Sequence, residues 1–307
     1  MKHTILGANG TIGSVLAKEL TAYTNDIRLV SRNPKKVNAT DELMPADLSD
    51  ASQVDKAIAG SDVVYLLVGF DYNTKVWQEK WPALMKACIE ACSKHKAKLV
   101  FFDNVYPYDK TEIEHMTENS KVNPPSVKGK VRASIAQMLM DAVAAGKLQG
   151  LIARSADFYG PGNERSFLIE VTVKNHLKGK KAQWFVNTDK THTFTYTPDA
   201  AKATAILGNA DDVWGQVWHL PTSKEKLTGK QWADAFATAL NAPKGVSVLP
   251  LWFIKVLGWF VPFMREMPEM MYQYEQNYFF DSSKFEAKFN LKPTPVSEAI
   301  AQICKSV

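Results

Sequence analysis

The chain predicts an α/β fold: a doubly wound parallel sheet followed by a smaller, mixed α/β lobe. Two patterns carry that expectation. A short apolar strand runs through closely spaced glycines into a helix at residues 4–13, and apolar strands then alternate with helical patterns as far as residue 154. Length agrees, because 307 residues with 46% hydrophobic and 22% charged composition suit one sizeable domain plus a lobe.

The opening run reads T-I-L-G-A-N-G-T-I-G. Thr4, Ile5 and Leu6 supply the strand, and Ile12, Val15, Leu16 and Leu20 recur at helical spacing over residues 11–20. Between them, Gly7 can take the tight turn, Gly10 leaves room for backbone to approach a phosphate, and Gly13 lets the helix pack closely on the sheet. The helix start then points its positive end at the anion. This is the Rossmann dinucleotide cradle, and Gly7, Asn9, Gly10, Thr11, Ile12 and Gly13 are its cofactor-binding candidates.

Residues 27–30 read as the second strand, which ends in Ser31 and Arg32 with Lys35 and Lys36 close behind. An NAD-type site wants a carboxylate there for the ribose 2′-hydroxyl. Arg32 instead suits a 2′-phosphate, so the expected cofactor is NADP rather than NAD. A third strand is expected around Ala46, Asp47 and Leu48, with Asp47 near the adenine. A helix over residues 52–60 leads to a buried strand at 62–68, whose end brings Val68 and Gly69 to the cofactor.

The pattern continues with a helix at 77–95 and the fifth strand at 99–102. That strand runs out into Asp103, Asn104, Tyr106 and Tyr108, polar and aromatic groups at a carboxyl end where such sheets bind ligands. A charged loop, a helix at 127–145 and a sixth strand at 148–154 follow. Short strands are expected at 193–197 and 217–220, with a helix starting at Pro198, and the tail from about 228 is mostly helical. Residues 1–160 are thus expected to form the NADP-binding domain, joined by segments near 190–220, and 161–307 to form mainly the substrate lobe.

Composition removes several alternatives. A net charge of +5 with scattered basic residues gives no nucleic-acid footprint. Cys88, Cys92 and Cys304 make no disulfide framework and read as buried thiols, and no His/Asp/Glu spacing indicates a metal. The most apolar stretch, 246–264, is too broken by Pro250, Lys255, Gly258 and Pro262 to span a membrane, although it can lie on one or wall an apolar pocket. Strand one begins at once, so no leader peptide is expected and the cytoplasm is the expected location.

Further motifs make the chain resemble a known superfamily. G-A-N-G-T-I-G at 7–13, R-S-A-D-F-Y-G-P-G at 154–162, F-T-Y-T-P-D-A-A at 194–201 and D-S-S-K-F at 281–285 resemble, in order, the extended short-chain dehydrogenase/reductases, and within them the nucleotide-sugar epimerase/dehydratase branch. The resemblance implies a C-terminal substrate lobe, a cofactor across the strand ends, and a possible homodimer. It also implies a Ser or Thr after strand five and a Tyr-x-x-x-Lys on the next helix.

Here that helix departs from the pattern: Asn104 stands at the Ser/Thr position, Lys128 at the tyrosine position and Arg132 at the lysine position. Arg132 can hold ribose hydroxyls but cannot trade protons near neutral pH. Lys128, crowded by Lys130 and Arg132, is therefore the first candidate proton donor, as in the reductase branch resembling isoflavone reductase. Tyr106, Tyr108 and Tyr159 are second candidates, Asp103 is a base if the loop buries it, and Tyr159 is expected beside the nicotinamide with Arg154 structural or near the ribose. The expected function is an NADP-dependent oxidoreductase or epimerase acting on a small carbonyl or hydroxyl substrate, a nucleotide sugar being one option. The alternative is a catalytically inactive NADP-binding sensor or regulator.

Overall fold

The apolar, β-branched runs of the first half form strands β1 (His3–Leu6), β2 (Ile27–Ser31), β3 (Glu42–Pro45), β4 (Val63–Leu66), β5 (Lys98–Asn104) and β6 (Gly150–Ser155). Five further strands follow: β7 (Phe158–Tyr159), β8 (Ala182–Phe185), β9 (Thr195–Tyr196), β10 (Val217–His219) and β11 (Val246–Leu249). The computed structural model describes residues 1–163 and 166–307. Helices α1 (Thr11–Glu19), α2 (Ala51–Ile58), α3 (Thr74–His95) and α4 (Val127–Ala144) alternate with the early strands.

Seven strands make one parallel sheet in the order β10-β6-β5-β4-β1-β2-β3. β1 pairs with β2 on one side and β4 on the other, so the strand order reverses at β1. In a doubly wound sheet, that reversal opens a crevice at the carboxyl ends of the strands. β1, β4 and β6 are buried along their whole length, as strands covered on both faces must be. Leu84, Met85, Cys88, Ile135 and Leu139 from α3 and α4 pack over Leu66, Leu99 and Phe101.

The chain divides into two compact units. The first comprises Met1–Tyr106, Lys128–Ser155 and Ala200–Leu220, and so contains the seven-stranded sheet. Pro107–Val127, Ala156–Asp199 and Pro221–Val307 make up the second. Within it, β7 pairs with β9 and β8 with β11, both in parallel, around a core that includes Trp184, Phe194, Trp232 and Tyr278.

Two local expectations are corrected. The third strand is Glu42–Pro45 rather than the segment around Ala46, Asp47 and Leu48, which turns away after one further bond from Ala46 N–H to the Ser31 carbonyl. As an edge strand with mostly exposed side chains, it carries little hydrophobic signal. α3 begins three residues before Trp77, because the Asn73 side chain caps it by accepting from Val76 N–H.

Candidate functional site

The glycine loop has the geometry that its sequence demands. Gly7 leaves β1 at φ +89°, and a Cβ there would lie 3.0 Å from the Leu67 carbonyl and Val68 Cα. At Gly13 a Cβ would sit 2.7 Å from the Ala8 carbonyl oxygen, so only glycine lets α1 approach the loop this closely. Ile12 is buried beneath the loop, while Asn9 and Gly10 are exposed. No side chain caps α1 and no acidic residue lies in its first turn, which leaves the positive helix end uncancelled. A pyrophosphate fits this cradle sterically and electrostatically.

Asn9 also organises the neighbouring strand end. Its Nδ2 donates to the Asn33 carbonyl at 2.7 Å and its Oδ1 accepts from Lys35 N–H at 3.3 Å. The exposed Arg32 is therefore carried on a turn tied back to the glycine loop. Asp47 is exposed and Leu48 buried in the turn after β3, and Val68 and Gly69 form the half-buried and exposed exit of β4.

At the carboxyl ends of β4 and β5, the first unit gathers a second group. Lys128, fully buried at the start of α4, donates from Nζ to Thr74 Oγ1 at 2.9 Å. Its Nζ also lies 4.6 Å from the centroid of the Tyr72 ring. The Tyr72 hydroxyl is 3.5 Å from that of Tyr106, whose ring stacks on Trp77. Asn104 Oδ1 accepts from Tyr106 N–H at 3.1 Å and so sets the turn that carries Tyr106. Among the expected residues, the fold thus brings Lys128, Asn104 and Tyr106 to the carboxyl end of the sheet. Tyr72 and Thr74 were missed, although the strand-end rule that singles out residues 103–108 applies equally to the exit of β4.

Other expected residues have different employment. Asp103 and Arg154 are register partners on β5 and β6, and α4 adds Arg132 over the same face. Arg132 Nε and Nη2 reach Asp103 Oδ1 at 2.7 and 2.6 Å, and Arg154 Nε and Nη2 reach Oδ2 at 3.2 and 2.8 Å. All three side chains are buried. Arg132 further donates to the Phe102 carbonyl and lies over the rings of Trp81 and Phe101. Burial lowers the Arg132 pKa, and Asp103 works against that shift. The Arg132 guanidinium thus faces the Asp103 carboxylate, and Asp103 is held between two guanidinium groups.

Tyr159 is likewise a core residue of the second unit. β7 turns its ring inward against Phe194, Tyr196 and Trp232, and among the described residues its hydroxyl has no hydrogen-bond partner. Burial pushes its pKa well up. Tyr108 is also fully buried and belongs to the second unit.

Residues 3–218 match the family model described as the NAD dependent epimerase/dehydratase family. No curated protein matches the sequence. Similar solved structures include the UDP-glucose 4-epimerase of Thermus thermophilus in complex with NAD, at 17% identity and TM-score 0.80 over 100% of this chain and 98% of that one. The UDP-glucuronic acid 4-epimerase of Bacillus cereus, also with NAD, is 18% identical with TM-score 0.78 over 100% and 96%. The dTDP-glucose 4,6-dehydratase of Streptomyces venezuelae, with NAD and TYD bound, is 16% identical with TM-score 0.81 over 100% and 96%. At these identities the likeness is one of fold.

Proposed function

From the premise that the chain belongs to the NAD-dependent epimerase/dehydratase family, we propose that it is an NADP-preferring enzyme using a phenol pair beside a buried lysine for proton transfer. The observation that carries this reading is the Lys128–Tyr72–Tyr106 cluster at the carboxyl ends of β4 and β5. When bound, a nicotinamide dinucleotide supplies hydride chemistry at a secondary alcohol or its carbonyl counterpart. The loop from Gly7 to Gly13 would hold it, with Arg32 available to pair with a 2′-phosphate and Asp47, Leu48, Val68 and Gly69 as further contacts.

In this mechanism the Tyr106 hydroxyl exchanges a proton with the substrate oxygen, and Tyr72 passes the next proton to Tyr106. Lys128 sets its ammonium group against the Tyr72 ring, beside the phenol pair. Thr74 holds the ammonium in place, and Asn104 positions Tyr106. In this reading a lysine stands at the family's tyrosine position, and the phenols come instead from the exits of β4 and β5. Nucleotide sugars, the compounds for which the three similar structures are named, are the first substrates to try.

A second reading is favoured by one observation. The position where the family carries its helper lysine is occupied by Arg132, which is committed to Asp103, as a binding-only relative that had lost catalysis would allow.

A single set of measurements separates the two readings. NADPH binding, followed by its fluorescence, is expected to be tighter than NADH binding by about 1.5–3 kcal/mol, the worth of a hydrogen bond to a charged group. Arg32→Ala should abolish that difference, and equal affinities in the wild type would refute the NADP assignment. Lys128→Met and Tyr106→Phe should leave cofactor affinity intact and abolish turnover in a nucleotide-sugar panel. Unchanged turnover in either variant removes that residue from the mechanism, whereas tight NADPH binding with no turnover by the wild type supports the sensor.

A further inference from the structure

Helical residues that face water are ordinarily polar. In the second unit, the helix Leu251–Leu257 reverses that rule. Its fully buried residue is Ile254, while Trp252, Lys255, Val256 and, just beyond it, Trp259 lie exposed at positions i, i+3, i+4 and i+7. The chain then turns back into the short helix Pro262–Glu266, whose Phe263 is also exposed. At the tip between the two helices, Trp259 and Phe260 are 77% and 78% exposed, and Trp252 is 67% exposed.

This hairpin is built, not frayed. Gly258 packs so closely on the returning helix that a Cβ would lie 3.0 Å from Arg265 Cα. Arg265 Nε donates to the Gly258 carbonyl at 3.2 Å, and Trp259, Phe260 and Val261 N–H groups bond to the carbonyls of Val256 and Leu257. The fold therefore holds these rings outward. Clustered exposed aromatics of this size mark an interaction surface.

Charge identifies the partner. Residues 235–265 contain Lys244, Lys255 and Arg265 but no Asp or Glu, and the first acid of the hairpin is Glu266, at its C-terminal end and away from the Trp259–Phe260 tip. β11, which feeds the hairpin, pairs in parallel with β8, setting Val246 opposite Ala182, so the exposed Lys178, Lys180 and Lys181 lead into the strand beside Lys244. Tryptophan and phenylalanine tips with a mainly basic surround suit the headgroup region of an anionic bilayer. A self-complementary dimer through the same patch would set these basic groups against their own copies. Among the described residues no helix is long and apolar enough to cross a membrane, so the attachment is to one surface.

We propose that the 251–266 hairpin docks the protein on an anionic membrane surface by inserting Trp259 and Phe260 at the interface, with Lys255 and the lysines of the β8–β11 edge contacting lipid phosphates. The test is flotation of the full-length protein with phosphatidylcholine vesicles, with and without phosphatidylserine, read together with tryptophan emission. Binding is expected to vesicles containing phosphatidylserine, with a blue-shifted emission and a loss of affinity as salt is raised. The double variant W259S/F260S should bind at least about tenfold more weakly, as loss of the interfacial aromatic anchors requires. K180E/K181E should weaken binding about fivefold or more for each charge removed from near the surface. Both variants alter exposed side chains, and an unchanged melting curve checks that they fold. No flotation with either lipid, or W259S/F260S floating like the wild type, overturns the proposal. So does a wild-type dimer that fails to float and becomes a monomer in W259S/F260S, which would assign the patch to a second copy.

Discussion

Replacing Asp103 by alanine should be among the most damaging single changes in the first unit. The carboxylate takes four N–H contacts at 2.6–3.2 Å from Arg132 and Arg154, and its side chain is wholly buried. Its removal leaves two guanidinium groups buried side by side, 5% and 3% exposed, with no carboxylate between them. Breaking a buried ion pair from one side costs about 3–5 kcal/mol, and the mutual repulsion of the two arginines argues for the upper part of that range. For a domain of this size, each kcal/mol moves the melting temperature by about 2–4 °C, so a fall of roughly 6–20 °C is expected in thermal melts followed by circular dichroism. Arg132→Met should also lower the melting temperature while leaving NADPH affinity, measured well below the melt, unchanged. A D103A protein that melts with the wild type would refute the reasoning. So would an R132M protein that keeps its stability and loses cofactor affinity, since that result would return Arg132 to the ribose.

Two further outcomes follow from buried titratable groups. His3 is fully buried with Nδ1 at 3.0 Å from the Tyr65 hydroxyl, and burial, then the N-terminal ammonium, lowers its pKa from 6.5 to about 4. The unfolded chain takes up that proton first, so the stability is present above pH 6.5 and is lost as the pH falls towards 4, by up to about 3 kcal/mol. Urea unfolding from pH 7 to 4 should show this slope in the wild type and a shallower one in His3→Gln; equal slopes would refute it. Burial also pushes the Cys88 thiol up to about 12 and Cys92 well above its usual range, while Cys304 is half-buried at the end of the last helix. A disulfide exchange reagent should therefore titrate one thiol in the native protein, none in Cys304→Ser, and three in denaturant. More than one fast thiol in the native wild type contradicts the burial argument.

The sheet was legible because its strands are buried on both faces and so appear as continuous apolar runs between helical patterns. The glycine loop was legible for a steric reason: Gly7 and Gly13 stand where any side chain would meet backbone at 3.0 Å or less. β3 escaped because an exposed edge strand has no core face to mark its period. The placement of Arg132 was not legible, because a cation one helical turn into α4 can reach the strand ends or the sheet face beneath, and periodicity alone does not distinguish them. The Trp81 and Phe101 rings and the Asp103–Arg154 register decide for the sheet face, and those neighbours come from three other elements.

The motifs that carried the family resemblance have mainly structural work to do within their units. Arg154 pairs with Asp103; a Cβ at Gly160 would collide with Thr197 Oγ1; Asp199 accepts from Thr294 N–H and Oγ1; Ser282 Oγ accepts from Thr222 N–H. Such contacts preserve a scaffold whether or not its chemistry is preserved, which is why the fold could be read so much further than the reaction. The groups proposed for catalysis are scattered instead over the exits of β4 and β5 and the start of α4, at Tyr72, Tyr106 and Lys128, with no fixed spacing between them. The parallel register of β4 on β5 brings the first two segments to the same end of the sheet, where α4 begins. In the mechanism proposed above, a lysine at the family's tyrosine position is compatible with catalysis because a neighbouring strand end delivers the phenol.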